Sequence, residues 1–232
     1  MTKQIDRMIA ELCPDGVEYK LLGEIGEFVR GNGLQKKDFA DEGFPCVHYG
    51  QIYTKYGLFA DKTFTYCSDE LASKLRKAEA NDLLIATTSE NIEDVCKPLA
   101  WLGGEVAISG DMMCFRSEQD VKYLAYYFCT EKFQEQKRRY TAGTKVKRVS
   151  RDNLAKIIIP VPPLPIQREI VRILDNFTEL TAELTAELGA RKKQYEYYRN
   201  LLLTFDEPAN IIVGRTDGRT DGRTDGSVGD VG

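Results

Sequence analysis

The sequence predicts an α+β protein, in which a globular, β-rich domain with helices is followed by a long α-helix able to form a coiled coil. Two observations support this prediction. Before residue 160, short apolar runs alternate with glycine turns, which is typical of a β-rich domain. After a proline block, about forty residues contain no proline and a single glycine. We therefore divide the chain into residues 1–159, 160–207 and 208–232.

Charge and cysteine content restrict the class of protein. The formal net charge of −4 argues against a generally basic nucleic-acid binder. Residues 132–151 nevertheless contain eight Lys or Arg and one acid. The six cysteines lack Cys-x-x-Cys spacing, so we expect mostly buried free thiols and a cytoplasmic location. No apolar run reaches the roughly eighteen residues of a membrane span, so no membrane partner is expected.

The first half of the domain begins with an amphipathic helix at residues 5–12, followed by a strand at residues 17–22. Residues 25–30 form a short apolar segment, and a glycine turn and an exposed basic stretch follow it. Residues 44–53 read as a strand that leads into an aromatic-rich loop. This loop holds His48, the only histidine, for which a structural role is favoured over a contact to nucleic acid.

The middle of the domain combines a short helix with several strands. Residues 69–79 favour the helix, and residues 83–86 a buried strand. Behind that strand lies a polar run, residues 87–91, which suits a ligand site and an ordinary loop equally well. Further strands are predicted at residues 100–102, 106–108 and 112–116.

The domain closes with a helix, a basic loop and a strand. Apolar side chains on one side predict the helix over residues 122–140, and residues 152–159 read as the strand. Between them, residues 141–151 are glycine-hinged and rich in Lys and Arg, with no acid among them. This composition suits a phosphate backbone, and the alternative is a solvated run of charge.

The long helix carries an apolar seam with the spacing of a coiled coil. The steps between its first members are four, three, four, three and four residues, and the register then slips by four at a Thr-Ala-Glu-Leu repeat, residues 181–188. Such a seam requires either a partner helix or docking on its own domain. The predicted seam consists of Ile166, Ile170, Ile173, Phe177, Leu180, Leu184, Leu188, Tyr195, Tyr198, Leu202 and Phe205.

Both ends of this helix resemble a known family. Residues 162–171, PPLPIQREIV, look like the start of the conserved helix in the specificity subunits of Type I restriction-modification enzymes. Residues 194–202, QYEYYRNLL, resemble the end of that helix, and the repeated Thr-Ala-Glu-Leu looks like its spacer. The order of motifs before residue 160 is similar to one target recognition domain of the family, so the resemblance covers about residues 17–205.

The resemblance implies a DNA-specificity subunit rather than an enzyme. The chain has no methyltransferase motif, nucleotide-binding loop, zinc spacing or histidine-centred triad. In the family, methylation belongs to modification subunits and ATP-dependent cleavage to a restriction subunit. The implied partners are therefore double-stranded DNA and these subunits. S-adenosylmethionine and ATP-Mg would be cofactors of the partners, and no cofactor or metal is expected in this chain.

The chain also departs from the family's usual arrangement of two recognition domains and two conserved helices. With one of each, it resembles a half-size subunit, and we expect a homodimer formed through the helix that reads a symmetric bipartite site. The alternative is an assembly or decoy subunit that occupies modification subunits without reading DNA productively.

Specific residues are assigned to DNA as expectations. In the basic loop, Lys145, Lys147 and Arg148 are expected to anchor phosphates, and Gly143 and Thr144 to let the backbone approach. Candidates for groove contact are Asn32, Lys36, Tyr49, Gln51, Thr87, Thr88, Ser89 and Asn91.

The end of the chain differs in character from the rest. Three copies of Gly-Arg-Thr-Asp lie in residues 214–225. This polar, glycine-rich composition cannot bury a core and predicts a disordered tail for residues 208–232.

Overall fold

The computed structural model describes residues 2–205, so the predicted tail lies outside the described residues. The chain divides into two compact units, Met1–Leu180 and Thr181–Gly232. The first unit holds every strand of the described residues and the start of the long helix. The described part of the second unit continues that helix.

The strands are short, as the apolar runs predict. They are β1 (Tyr19–Leu21), β2 (Gly26–Arg30), β3 (Phe44–Val47), β4 (Phe59–Ala60), β5 (Thr65–Cys67), β6 (Lys77–Ala78), β7 (Leu83–Ala86), β8 (Thr88–Ser89), β9 (Lys97–Trp101), β10 (Val106–Ile108), β11 (Met112–Ser117), β12 (Lys147–Arg148) and β13 (Ile158–Pro160).

Two larger sheets form the centre of the first unit. One has five strands in the order β2-β11-β7-β9-β4, and the other has four in the order β5-β3-β10-β6. Most neighbours are antiparallel, but β4–β9 and β3–β10 are parallel. Strands β7 and β10 are wholly buried and have continuous apolar sequences, and β9 is buried after its first residue, Lys97. Two small antiparallel pairs, β1–β13 and β8–β12, complete the unit.

The described residues form eight α-helices. They are α1 (Thr2–Leu12), α2 (Leu22–Ile25), α3 (Tyr49–Thr54), α4 (Asp69–Ala72), α5 (Val121–Phe128), α6 (Glu131–Tyr140), α7 (Arg151–Leu154) and α8 (Leu164–Leu203), with a 3₁₀ turn at Lys36–Asp38.

The single helix predicted over residues 122–140 is two helices, α5 and α6. Thr130 has an extended backbone, and its side-chain oxygen accepts a hydrogen bond from the Phe133 amide, which starts a new helix. Phe128 and Phe133 stack across the junction with ring centroids 3.9 Å apart. The apolar side chains keep their helical spacing across the break, so the sequence pattern does not reveal that Thr130 caps a second helix.

Three other boundaries differ from the prediction. The aromatic-rich loop after β3 is helix α3, because His48 and Gln51 form a reciprocal cap: Nδ1 of His48 accepts from the Gly50 amide, and Oε1 of Gln51 accepts from the His48 amide. The helix predicted at residues 69–79 ends at Ala72. The strand predicted at residues 152–159 begins with the short helix α7.

Within the first unit, the first turns of α8 pack on the β-rich core, which is the docking on its own domain that the sequence left open for the seam. Ile166 is fully buried and Ile170 packs against the core, so these two positions are covered within the chain itself. Ile173 is half-buried. From Leu180 to Phe205 the predicted seam residues are exposed.

Polar contacts hold the same turns of α8 in place. The buried Gln167 donates to the Pro162 carbonyl at 2.7 Å and accepts from the Asp120 amide at 3.0 Å. Further along, Asp175 forms an ion pair with Lys122 and accepts from the Tyr126 hydroxyl. These contacts hold the first turns of α8 against the rest of the first unit.

Candidate nucleic-acid interface

Two loops that are distant in sequence form one β-ribbon. Strand β8, in the polar run after β7, pairs antiparallel with β12 in the basic loop, so that Arg148 lies opposite Thr88 and Lys147 opposite Ser89. The Val149 amide extends the contact by donating to the Thr87 carbonyl at 3.3 Å. The two sets of candidate DNA contacts that the sequence placed separately therefore meet in one structure.

A glycine turn closes the end of the ribbon. Gly143 has a φ of +102°, and a Cβ atom there would lie 2.0 Å from the Val146 carbonyl oxygen. The ammonium of Lys147 donates to the carbonyls of Gly143 and Thr144, both at 2.9 Å. Lys147 therefore stabilises the turn from within the loop.

Lys145 stands apart from this hydrogen-bonded network. It lies at the tip of the turn and is exposed. Across residues 2–205, the structure assigns it neither a hydrogen bond nor an ion pair. Its charge is therefore available to an anion outside the chain.

One carboxylate lies beside the ribbon. Asp111 accepts a hydrogen bond at Oδ1 from the Thr88 hydroxyl at 3.1 Å, and the same oxygen is 3.9 Å from Nη2 of Arg148. The Asp111 carbonyl accepts from both the amide and the hydroxyl of Thr87. The loop after β10 thus supports the ribbon through both its backbone and its side chain.

A cavity of about 360 Å³ opens next to these residues. Thr87, Thr88 and Arg148 line it, together with two arginines that were not among the sequence candidates, Arg30 and Arg151. Arg30 ends β2 and Arg151 begins α7, and the sequence carries no local signal that would place them together. Their proximity results from the packing of the sheets.

Two further candidates contact the end of β10 and the loop that follows it. The Tyr49 amide donates to the Ser109 hydroxyl at 2.9 Å, and the Asn32 amide donates to the Ile108 carbonyl. The Tyr49 ring lies 4.5 Å from the ring of His48. Burial, followed by the positive charge of Lys36, lowers the pKa of His48 below its usual value, whereas Asp111 acts in the opposite direction.

Three candidate amides are bonded within the chain. Gln51 is buried and its Nε2 donates to Thr65, in addition to the cap on His48. The Asn32 side chain bridges the Lys74 carbonyl and the Arg76 amide. Asn91 is exposed and donates to Asp94. Asn32 and Gln51 would have to exchange internal bonds to contact a base, and their assignment to DNA stays a prediction.

The basic run at residues 132–151 is less uniform than its sequence suggests. Lys137 is fully buried, donates to the Glu93 carbonyl at 2.8 Å, and has its pKa lowered by burial. Arg138 pairs with Glu131 at 2.7 Å. The surface charge of this run is therefore smaller than the eight cations of the sequence.

The described residues offer neither a metal site nor a reactive thiol among the buried cysteines Cys96 and Cys114. Within residues 2–205, no group of three His, Cys, Asp or Glu side chains converges to hold a metal ion. Burial raises the pKa of Cys96 and of Cys114 to about 12, so these thiols stay protonated and serve in packing. No described helix is long and apolar enough to cross a membrane.

Sequence comparisons place the chain among specificity proteins. Residues 14–191 match the Type I restriction modification DNA specificity domain. The EcoR124I/EcoR124II specificity subunit of Escherichia coli is 34% identical over 209 residues, which cover 83% of this chain and 46% of the relative. A putative type I restriction enzyme specificity subunit of Haemophilus influenzae is 47% identical over 172 residues, covering 66% of this chain and 40% of the relative.

Solved structures show the same fold. The HsdS subunit of Thermoanaerobacter tengcongensis matches with a TM-score of 0.52 at 18% identity, over 80% of this chain and 45% of its own. A chain from a structure of type I R-M system assembly gives a TM-score of 0.58 at 20% identity, over 83% of this chain and 48% of its own. The chain thus spans less than half the length of these similar proteins.

Proposed function

Since the chain belongs to the family of the Type I restriction modification DNA specificity domain, we propose that its β-rich unit reads one half of a bipartite DNA site. The family assignment confirms the resemblance found in the sequence. It places the chain among specificity proteins rather than among catalytic subunits.

The β8–β12 ribbon is the observation that carries this proposal. It joins hydroxyls from one loop to cations from another, next to a cavity lined by Arg30, Arg148 and Arg151. A two-stranded ribbon fits the major groove of B-form DNA, where cations contact phosphates and polar side chains contact base edges. An acidic protein can bind DNA in this way because the positive charge is local.

We further propose that two copies pair through α8 and so present two identical reading units. The exposed seam supports this pairing, since Leu184, Leu188, Tyr195 and Leu202 are each more than half exposed along one helix. Apolar side chains spaced in this way are stabilised by a second helix. A twofold pair would read an inverted repeat, and the helix length would set the spacer.

The enzymatic partners in this proposal are modification and restriction subunits, which would supply S-adenosylmethionine-dependent methylation and ATP-Mg-dependent cleavage. The free cysteines of the described chain are compatible with work in the reducing cytoplasm. The seam also provides a surface for an assembly or decoy role, in which modification subunits bind but no site is read.

Selection from a library of random DNA duplexes tests the proposal. We expect the chain, alone or assembled with modification subunits, to enrich a short motif present as an inverted repeat with a fixed spacer. A single unrepeated half-site would contradict pairing. Binding to modification subunits without any enriched motif would favour the decoy role and refute DNA reading.

A further inference from the structure

Given the proposed function of reading DNA, we infer that Arg148 recognises a guanine in the half-site and that Asp111 is the residue that positions it. The sequence predicts the same phosphate contact for Arg148 as for Lys145 and Lys147. The geometry around the ribbon separates the three cations of the basic loop into different roles.

The two faces of the ribbon distinguish Lys147 from Arg148. Successive side chains of a strand point to opposite faces, so these neighbours face different ways. Lys147 turns back to the carbonyls of Gly143 and Thr144. Arg148 lies on the face of Thr88, with which it is directly paired, and it lines the cavity while its side chain stays 64% exposed.

The position of Asp111 argues for a base rather than a phosphate as the ligand of Arg148. The carboxylate is held by the Thr88 hydroxyl and lies 3.9 Å from the guanidinium, which is close enough to orient the side chain without a tight hydrogen bond. A phosphate arriving at Arg148 would be repelled by this carboxylate. The N7 and O6 acceptors of guanine carry no net charge and match the two parallel donors of arginine.

Lys145 provides the contrast within the same loop. It is exposed and forms no ion pair in the described structure, so its charge is free to contact a phosphate. The ribbon therefore separates the two tasks, with anchoring at its tip and base reading at its paired strands.

The test compares variants in a selection from random DNA duplexes and in binding to the enriched duplex and to a scrambled one. Arg148→Lys keeps the charge but loses the planar pair of donors. We expect it to lose preference for guanine at one position of the half-site by about tenfold or more, with an unchanged salt dependence. If Arg148→Lys keeps the full preference at every position, Arg148 is not a base reader.

Asp111→Asn tests the positioning role. We expect it to weaken the same guanine preference and to strengthen binding to the scrambled duplex, because the repelling charge is gone. A purely structural role would lower both affinities together, and that outcome would overturn the assignment of Asp111. The matched control is Glu105→Gln, which also removes one negative charge but lies at the other end of β10, just before the strand begins. It should leave the guanine preference intact.

The selection with the wild-type chain distinguishes a failure of the proposed DNA reading from a failure of the role inferred for Arg148. If the wild-type chain enriches no motif, DNA reading itself is wrong and the inference falls with it. If it enriches a motif without guanine, the proposed function stands and the role of Arg148 is refuted.

Discussion

At the scale of single residues, the cations of the basic loop are not equivalent. Lys147 is bound to two carbonyls of its own turn, whereas Lys145 is exposed at the tip. A contact between the exposed Lys145 and a DNA phosphate would contribute affinity without sequence information. It would also displace a counterion from the DNA.

We therefore predict that Lys145→Ala weakens binding to specific and non-specific duplexes alike and lowers the salt slope of binding by about 0.9. Titrations of both duplexes from low to high salt measure this change. Lys192→Ala, an exposed lysine of α8, is the control and should leave the slope as it is. An unchanged slope in Lys145→Ala would exclude the phosphate contact.

His48 provides a second prediction, on stability and pH. Its neutral ring caps α3 by accepting from the Gly50 amide, and its pKa in the folded state lies below the usual value. Because the unfolded state takes up a proton at higher pH than the folded state, the contribution of His48 to stability is present above pH of about 6.5 and is lost as the pH falls through the lowered pKa.

We expect the urea midpoint of the wild type to fall between pH 7.5 and pH 5 by more than that of His48→Asn. Asparagine also caps helices but does not titrate, and His48 is the only histidine of the chain. Equal pH dependence in the two proteins would show that the cap does not sense protonation.

At the scale of elements, α8 has two parts with different roles. Its first turns are attached to the β-rich unit by Gln167 and Asp175. The repeat at residues 181–188 lies beyond this attachment, within a helix that continues to Leu203. The number of Thr-Ala-Glu-Leu units in the helix can therefore change without disturbing the core of the first unit.

Deleting one Thr-Ala-Glu-Leu unit, residues 185–188, is predicted to shorten the spacer between half-sites by about two base pairs. Four helical residues span about 6 Å, and base pairs are spaced at about 3.4 Å. Four residues turn the helix by about 400°, so the seam shifts by only about 40°.

Selection or methylation mapping measures the spacer and the half-site together. The half-site should not change, because the reading unit is intact. Glu183→Gln alters the same repeat without changing its length and should keep the wild-type spacer. An identical spacer after the deletion would refute the role of the helix as a ruler.

At the scale of the whole molecule, the exposed seam of α8 requires a partner to cover it. We predict that light scattering finds a dimer of the chain, or two copies in the complex with modification subunits. Leu188→Asn places an amide in the seam and should shift the mass toward the monomer. Ala186→Asn introduces the same residue about 160° around the helix and should leave the mass unchanged.

A persistent monomer that binds one modification subunit would contradict the pairing. The seam would then be the surface for that subunit, and the chain would act as half a reader or as a decoy. The β-rich unit would keep its proposed role only if the selection still enriched a half-site.

The parts of this protein that could be read from its sequence are those with a local pattern. The heptad spacing of α8 and the apolar runs of β7, β10 and β11 are patterns within consecutive residues. They follow from the repeat of a helix or from the burial of a strand, so the sequence alone predicts them. The family resemblance rested on the two ends of α8 for the same reason. Local capping at His48 and Thr130 was also present in the sequence. Apolar periodicity concealed it at Thr130, and the aromatic composition of the segment concealed it at His48.

What only the folded chain decides is which distant segments meet. The pairing of β8 with β12, the approach of Asp111 to Arg148, and the burial of Ile166 join residues far apart in sequence. Such contacts depend on the packing of whole sheets, and no period in either segment encodes them. The helix could therefore be predicted from its own residues. The candidate nucleic-acid interface forms only when the sheets pack and bring its loops together.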